Sequence, residues 1–287
     1  APISCTPAHV LDHRARQDLE EARLTALEET PGTDADALAA LERLAGEATT
    51  KPVAARAAVR AGDRHRDAGR DAIAARWWRL ATRLDPEGGW ARAAIERLHD
   101  SWRDQTATEQ ERRLRTLRHP ALEGMLLYLA AAGHGDRAHG RARAVELCLL
   151  QRLRTPRSPY RDDCEDLVLS LLDRADRIRF AEDLLLPLPS DDPAAMDSPR
   201  FQRIELDLAD DLAAAGDTDE AVRRYRRVVD RYPSVRLKDD ALWRLAALHR
   251  SIGDAQREGA ALRTLIENLP HSRYAPEAQE RLEEIGD

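Results

Sequence analysis

At three places in this 287-residue chain a glycine stands 17 residues before a proline: Gly69 and Pro86, Gly216 and Pro233, Gly253 and Pro270. The second and third pairs are offset from each other by 37 residues. Glycine ends a helix with least strain, because the left-handed conformation that turns the chain disfavours a Cβ. Proline stops the next helix, since it has no amide hydrogen and restricts the residue before it. The interval therefore predicts one helix ending at each glycine and a second running from there to the proline. Such a unit cannot bury its apolar face alone and has to stack on its neighbours.

The residues inside the units agree with that prediction. Leu206–Pro233 reads LDLADDLAAAGDTDEAVRRYRRVVDRYP, and Trp243–Pro270 reads WRLAALHRSIGDAQREGAALRTLIENLP. Close helix packing needs small residues where the axes approach and a bulky one to fill the gap to the next pair. Those roles fall to Gly62, Ala74, Trp78 and Ala81 upstream, and to Ala209, Ala221, Tyr225 and Val228 in the next copy. In the last copy they fall to Ala246, Glu258, Leu262 and Leu265. Glu258 stands where a small residue is expected and predicts a local shift. Helical periodicity runs through nearly the whole chain and gives fifteen helices, near 8–29, 34–47, 52–68, 70–84, 90–104, 107–118, 120–132, 137–154, 160–173, 175–185, 199–215, 218–231, 236–252, 255–268 and 272–285. Hydrophobic residues make up 43% of the chain, enough for a core, which excludes wholesale disorder. The apolar residues are mainly Ala and Leu, which like Arg and Glu are strong helix formers, aromatics are 4%, and β-branched residues are sparse, so strands are not expected.

This pattern resembles the tetratricopeptide repeat. The resemblance implies an all-α fold, a right-handed superhelical α-solenoid of tetratricopeptide-like helix hairpins. Two parts are expected. Residues 1–189 would form an irregular helical-hairpin array with one clear repeat at about 53–86. Residues 198–287 would form a tetratricopeptide-like array with a capping helix, separated from the first part by the proline-rich stretch Pro187–Pro199. The looser Thr30–Asp34 stretch joins the first two helices. Within the second part, Tyr232, Pro233, Ser234, Asp240, Ala241 and Leu242 recur as Leu269, Pro270, Ser272, Tyr274, Ala275, Ala278 and Leu282. That recurrence is similar to a group of bacterial envelope tetratricopeptide proteins, of the outer-membrane-assembly lipoprotein and Tol–Pal coordinator type. Leu269 in place of Tyr and Lys238 in place of a small residue depart from it.

The resemblance implies a non-catalytic scaffold in the periplasm or at the outer membrane. It would hold a peptide or helix of a partner protein in a groove formed by the first helices of the pairs. Helical phase places Arg203, Asp207, Asp210, Asp211, Trp243, Arg244, Ala247 and His249 on that groove. A cytoplasmic tetratricopeptide adaptor and a helical accessory region of a cell-wall enzyme remain alternatives. The chain begins at Ala1, a start compatible with a removed export signal, with trimming, or with loss of an initiator Met.

Other features point to no chemistry. No cofactor, metal or catalytic residue is expected, because the phosphate-binding glycine loops, nucleophile elbow and zinc-protease motifs are absent. The paired carboxylates Asp162–Asp163, Asp191–Asp192, Asp210–Asp211 and Asp239–Asp240 read as helix starts or exposed faces. His134 and His139 read as loop histidines, five residues apart and poorly spaced for a metal. Trp78 reads as core, Trp77 as flanking packing, and Trp90 and Trp102 as packing from one helix. The run Arg223, Arg224, Arg226, Arg227 reads as a solvated face, with an acidic partner as the sharper alternative. Acids balance the basic residues to a net charge of -7, so nucleic acid is not an expected partner. No apolar run is long enough to span a membrane, and a lipid anchor at Cys5 would be the only direct attachment. Cys148 and Cys164 lie on helices either side of one turn and are expected as buried thiols, bridged only if the chain is exported.

Overall fold

A computed structural model describes residues 8–30, 35–137, 139–186, 198–232 and 235–286, and all secondary structure among them is helical. Two compact units divide between Val168 and Leu169. In the first lie α1 (Ala8–Glu29), α2 (Ala35–Glu47), α3 (Lys51–Asp67), α4 (Asp71–Leu84), α5 (Gly89–Asp100), α6 (Ala107–Leu114), α7 (Glu123–Gly135) and α8 (Arg141–Arg154). The division falls within α9 (Arg161–Leu171). The second unit holds α10 (Arg174–Leu185), α11 (Pro199–Ala215), α12 (Thr218–Arg231), α13 (Val235–Ser251), α14 (Ala255–Asn268) and α15 (Ala275–Gly286).

Helices pair with their chain neighbours: α3 with α4, α7 with α8, α11 with α12, and α13 with α14, while α15 closes on α14. The three predicted glycines carry the turns, with φ of 72° at Gly69, 87° at Gly216 and 75° at Gly253. Each turn ends the same way. The Gly216 amide donates to the Ala213 carbonyl, and the Asp217 amide reaches back to Leu212 at 3.0 Å. The same two bonds recur at Gly69–Arg70 and Gly253–Asp254. Asp217 and Asp254 then cap the next helix, accepting from the Glu220 and Arg257 amides at 3.3 and 3.0 Å. The Gly–Asp dipeptide thus ends one helix and starts the next.

The predicted contact residues lie in the cores. Ala74, Trp78, Ala81, Ala209, Ala221, Tyr225, Val228, Ala246, Leu262 and Leu265 are all buried. Gly62 is required by a close approach, since a Cβ there would stand 2.5 Å from Trp78 Nε1. Glu258 is also buried. Its carboxylate occupies the small-residue position by accepting from Arg250 at 2.6 Å and Arg281 at 2.8 Å.

Several expectations are corrected. The units divide earlier than the proline-rich stretch, because α10 packs on α11 and supplies Ala181, Leu184 and Leu185 to the second core. The proline-rich residues 187–197, the 31–34 stretch and Cys5 lie outside the described residues. The helix expected over 107–118 stops at Leu114 and ends in a 3-10 turn, Arg115–Leu117, while the one expected over 120–132 opens with a second 3-10 turn, Pro120–Leu122. Trp90 and Trp102 do not share a helix, since α5 ends at Asp100. Trp102 is buried beyond it, and Trp90 lies under the Arg56 and Arg60 guanidiniums at 5.5 and 5.2 Å. His134 belongs to the last turn of α7, where it is buried against Glu111 at 2.8 Å. Cys148 and Cys164, by contrast, are the buried free thiols expected.

Candidate protein-binding face

The predicted face lies on α11 and α13, the first helices of two successive pairs. Arg203, Asp207, Asp210 and Asp211 fall at i, i+4, i+7 and i+8 on α11, the spacing that lines one side of a helix. Arg203, Asp207 and Ala247 are exposed, while Asp210, Asp211, Trp243 and Arg244 are half-buried.

Two of these acids are fixed by bonds to neighbouring helices. Asp210 accepts from the Tyr225 hydroxyl of α12 at 2.6 Å and from the Arg244 guanidinium of α13. Burial and the Asp210 carboxylate push the Tyr225 phenol well above its ordinary range. Asp211 receives a forked pair from Arg177 of α10, at 2.5 Å from Nε and 2.6 Å from Nη2. Asp207 makes no hydrogen bond or salt bridge among the described residues. Desolvation by its surroundings raises its carboxyl pKa first, with Asp210 and Asp211 adding to the rise and Arg203 and Arg244 opposing it. The face therefore carries one uncommitted carboxylate between two guanidiniums, backed by two acids that are locked.

The remaining predicted residues diverge. Trp243 stacks on Tyr274 with ring centroids 5.1 Å apart and planes 4° apart. The Tyr274 hydroxyl and Arg273 both donate to Asp240, at 2.8 and 2.6 Å, and the Ser272 hydroxyl donates to Asp239 at 3.0 Å. Asp239 and Asp240 are thus buried structural acceptors and not the exposed acids expected. The residues that carry the sequence recurrence, Asp240, Ser272 and Tyr274, latch α13 to the start of α15. His249 does not line the face. It is 2% exposed at the end of α13, where Asp254, Arg257 and Glu258 of the next turn and helix crowd it and burial lowers its pKa.

Sequence reasoning missed Glu205. This fully buried carboxylate of α11 accepts from Arg224 at 3.1 Å and from the Tyr232 hydroxyl at 3.4 Å, with Arg227 at 3.9 Å. Burial and the Glu205 charge push Tyr232 up to about 12. Half of the arginine run therefore points inward at one acid, while Arg223 and Arg226 remain exposed. The signal was a glutamate between Ile204 and Leu206 on an apolar face, matched by arginines 19 and 22 residues later. Among the described residues no group of three His, Cys, Asp or Glu is placed to hold a metal ion. No helix among them is long and apolar enough to cross a membrane.

A family match agrees with the hairpin formed by α11 and α12. The tetratricopeptide repeat family matches residues 205–234, most of α11 and all of α12. No curated protein matches the chain. Among solved structures, pilF of Pseudomonas aeruginosa aligns at 17% identity with a TM-score of 0.41, over 80% of this chain and 98% of that one. PilW, a widely conserved type IV pilus biogenesis factor, aligns at 13% identity with a TM-score of 0.39, over 81% of this chain and 98% of that one. The fold is an all-α array of tetratricopeptide-like helix hairpins.

Proposed function

We propose that the protein is a non-catalytic protein–protein interaction scaffold of the bacterial cell envelope, taking a peptide or helix of a partner on the α11–α13 face. One observation carries this reading. Asp207 is exposed and uncommitted between Arg203 and Arg244, while Asp210 and Asp211 are held rigid by Tyr225, Arg244 and Arg177. A preorganised polar surface of mixed charge selects a partner by complementarity and loses little side-chain freedom on binding. Ala247 leaves the neighbouring surface of α13 open to a close approach. The envelope assignment is supported by the recurrence around Tyr232–Leu242 and Leu269–Leu282, whose members form the α13–α15 latch.

Site-specific photocrosslinking in the native organism tests the proposal. A photoreactive residue at 207 or 247 is expected to trap one recurrent envelope protein. The same residue at Arg223, exposed on α12, is expected not to trap it. Equal capture from all three positions, or a partner found solely in the cytosol, would contradict the reading.

A further inference from the structure

The first unit contains a cleft of about 560 Å³ that the reading above does not use. It opens where α6 stops at Leu114 and the two 3-10 turns carry the chain across to α7. Pro120 has no amide hydrogen to continue a helix there. The floor and walls are aliphatic: Leu114, Leu126, Leu127, Ala130, Leu147 and Leu150. Its volume and apolar lining fall within the usual range for ligand sites.

The rim is basic. Arg115, Arg118, His119 and Arg154 line it together with two acids, Glu111 and Glu123. Glu111 is already saturated. It accepts from Arg143 at 2.6 Å, from Arg115, and contacts His134 at 2.8 Å. Although burial pushes its carboxyl up, the Arg143 and His134 hydrogen bonds and the Arg143 and Arg115 charges bring it down to about 2. Glu123 is paired with Arg154 at 3.1 Å. Arg118 is exposed and has no ion-pair partner among the described residues. Within the lining three guanidiniums, Arg115, Arg118 and Arg154, face two carboxylates, so the rim keeps a positive excess on a chain whose net charge is -7. The apolar surface also continues past the cleft. On α8, Leu149 is 44% exposed and Leu153 is 79% exposed, one on each side of the lining residue Leu150 along the helix. An aliphatic ligand confined to the cleft would leave these two leucines in water. A segment long enough to lie along α8 would cover them.

We infer that this cleft is a second docking site, for an amphipathic segment of a partner protein that inserts an aliphatic side chain between α7 and α8 and sets acidic side chains against Arg118 and Arg154. Helix-in-groove recognition of this kind joins apolar anchors to a charged margin. The site lies in the first unit and does not depend on the α11–α13 face.

Two labelled helical peptides, one of leucine and glutamate and one of leucine and lysine in the same order, are titrated with the full chain by fluorescence anisotropy. Dodecanoate is tested as a competitor. The leucine–glutamate peptide is expected to saturate and to weaken with added salt, and the lysine peptide is expected not to bind. Arg118→Glu, at an exposed position that does not endanger folding, is expected to weaken binding at least about tenfold, while Arg118→Lys retains most of it. Leu150→Asp is expected to abolish binding with helical content unchanged, and Asp207→Lys to leave it intact. Equal binding of the lysine peptide, indifference to Arg118→Glu, or saturation by dodecanoate alone would overturn the inference. Sensitivity to Asp207→Lys in place of Arg118→Glu would overturn it while leaving the α11–α13 reading standing.

Discussion

The Tyr225 hydroxyl donates to Asp210 at 2.6 Å across a helix hairpin, from fifteen residues further along the chain. Trp78 donates to Asp63 across the same fifteen residues at 3.2 Å, in the other unit. Each acid also takes an arginine 34 residues later, Arg244 on Asp210 and Arg97 on Asp63, the latter at 2.6 Å. Acid, aromatic and arginine therefore tie three successive helices together twice in one chain. The copy at 247–281 lacks the device: Ala247 replaces the acid, Leu262 the aromatic, and Arg281 turns instead to Glu258.

Tyr225→Phe keeps the ring and removes the donor. Asp210 is half-exposed and retains Arg244, so water takes up part of the loss. The expected destabilisation is about 1 kcal/mol by urea unfolding with unchanged m-value. A loss no larger than that of an exposed control such as Arg226→Ala would show that the bond holds nothing.

Gly62→Ala and Gly216→Ala are expected to destabilise for different reasons. At Gly62 a Cβ meets Trp78 Nε1 at 2.5 Å and the Ala74 carbonyl oxygen at 3.2 Å, an overpacking cost of about 1–3 kcal/mol. At Gly216 nothing lies within 4 Å, and the cost of about 1 kcal/mol comes from φ of 87°. Thermal melts of Gly62→Ala with and without Trp78→Leu separate the two, because the smaller side chain relieves only the steric term.

The hairpins were legible because their punctuation is local. A positive φ selects glycine at 69, 216 and 253, and close helix approach selects Ala74, Ala209 and Ala221, so both leave a fixed interval in the sequence. Charge pairing was less legible. Acids repeat against bases 23 residues later, as in Glu42 with His65, Glu111 with His134 and Glu258 with Arg281, but many other arginines stand at similar distances. Only packing decides which of them a carboxylate meets. Helical phase placed Asp207 and Arg203 at the surface, yet failed for His249, because the next turn folds over the end of α13. Glu205 was hidden for the converse reason, since its partners lie on a helix whose phase made them look solvated. The shortening of α6 had one warning, Pro120, which marks where the helix cannot continue but not how far back it stops.

Glu111 gives the first unit an acid-sensitive joint. Its folded pKa lies below its unfolded value, so its contribution is complete above about pH 4.5 and is lost as pH falls toward about 2. The term amounts to at most about 3 kcal/mol. Stability measured from pH 5 to 2.5 is expected to fall more steeply for the natural chain than for Glu111→Gln. Identical slopes would place the acid sensitivity elsewhere.

Cys148 and Cys164 are expected to be inert in the folded chain. Both are buried, and the hydrogen bond with Cys148 followed by burial pushes the Cys164 thiol up, which keeps Cys164 protonated near neutral pH. In a Cys5→Ser background, a thiol-reactive disulfide reagent should label neither residue at pH 7.5 and both in denaturant. Rapid labelling of the native chain would contradict this packing.

Calorimetric titration of the photocrosslinked partner, once purified, against the natural chain and against Arg203→Glu/Asp207→Lys is the most direct measurement. Reversing both exposed charges while leaving Asp210 and Asp211 locked is expected to weaken binding at least about tenfold, with unfolding behaviour unchanged. Equal affinity for both chains would mean that the α11–α13 face does not hold the partner.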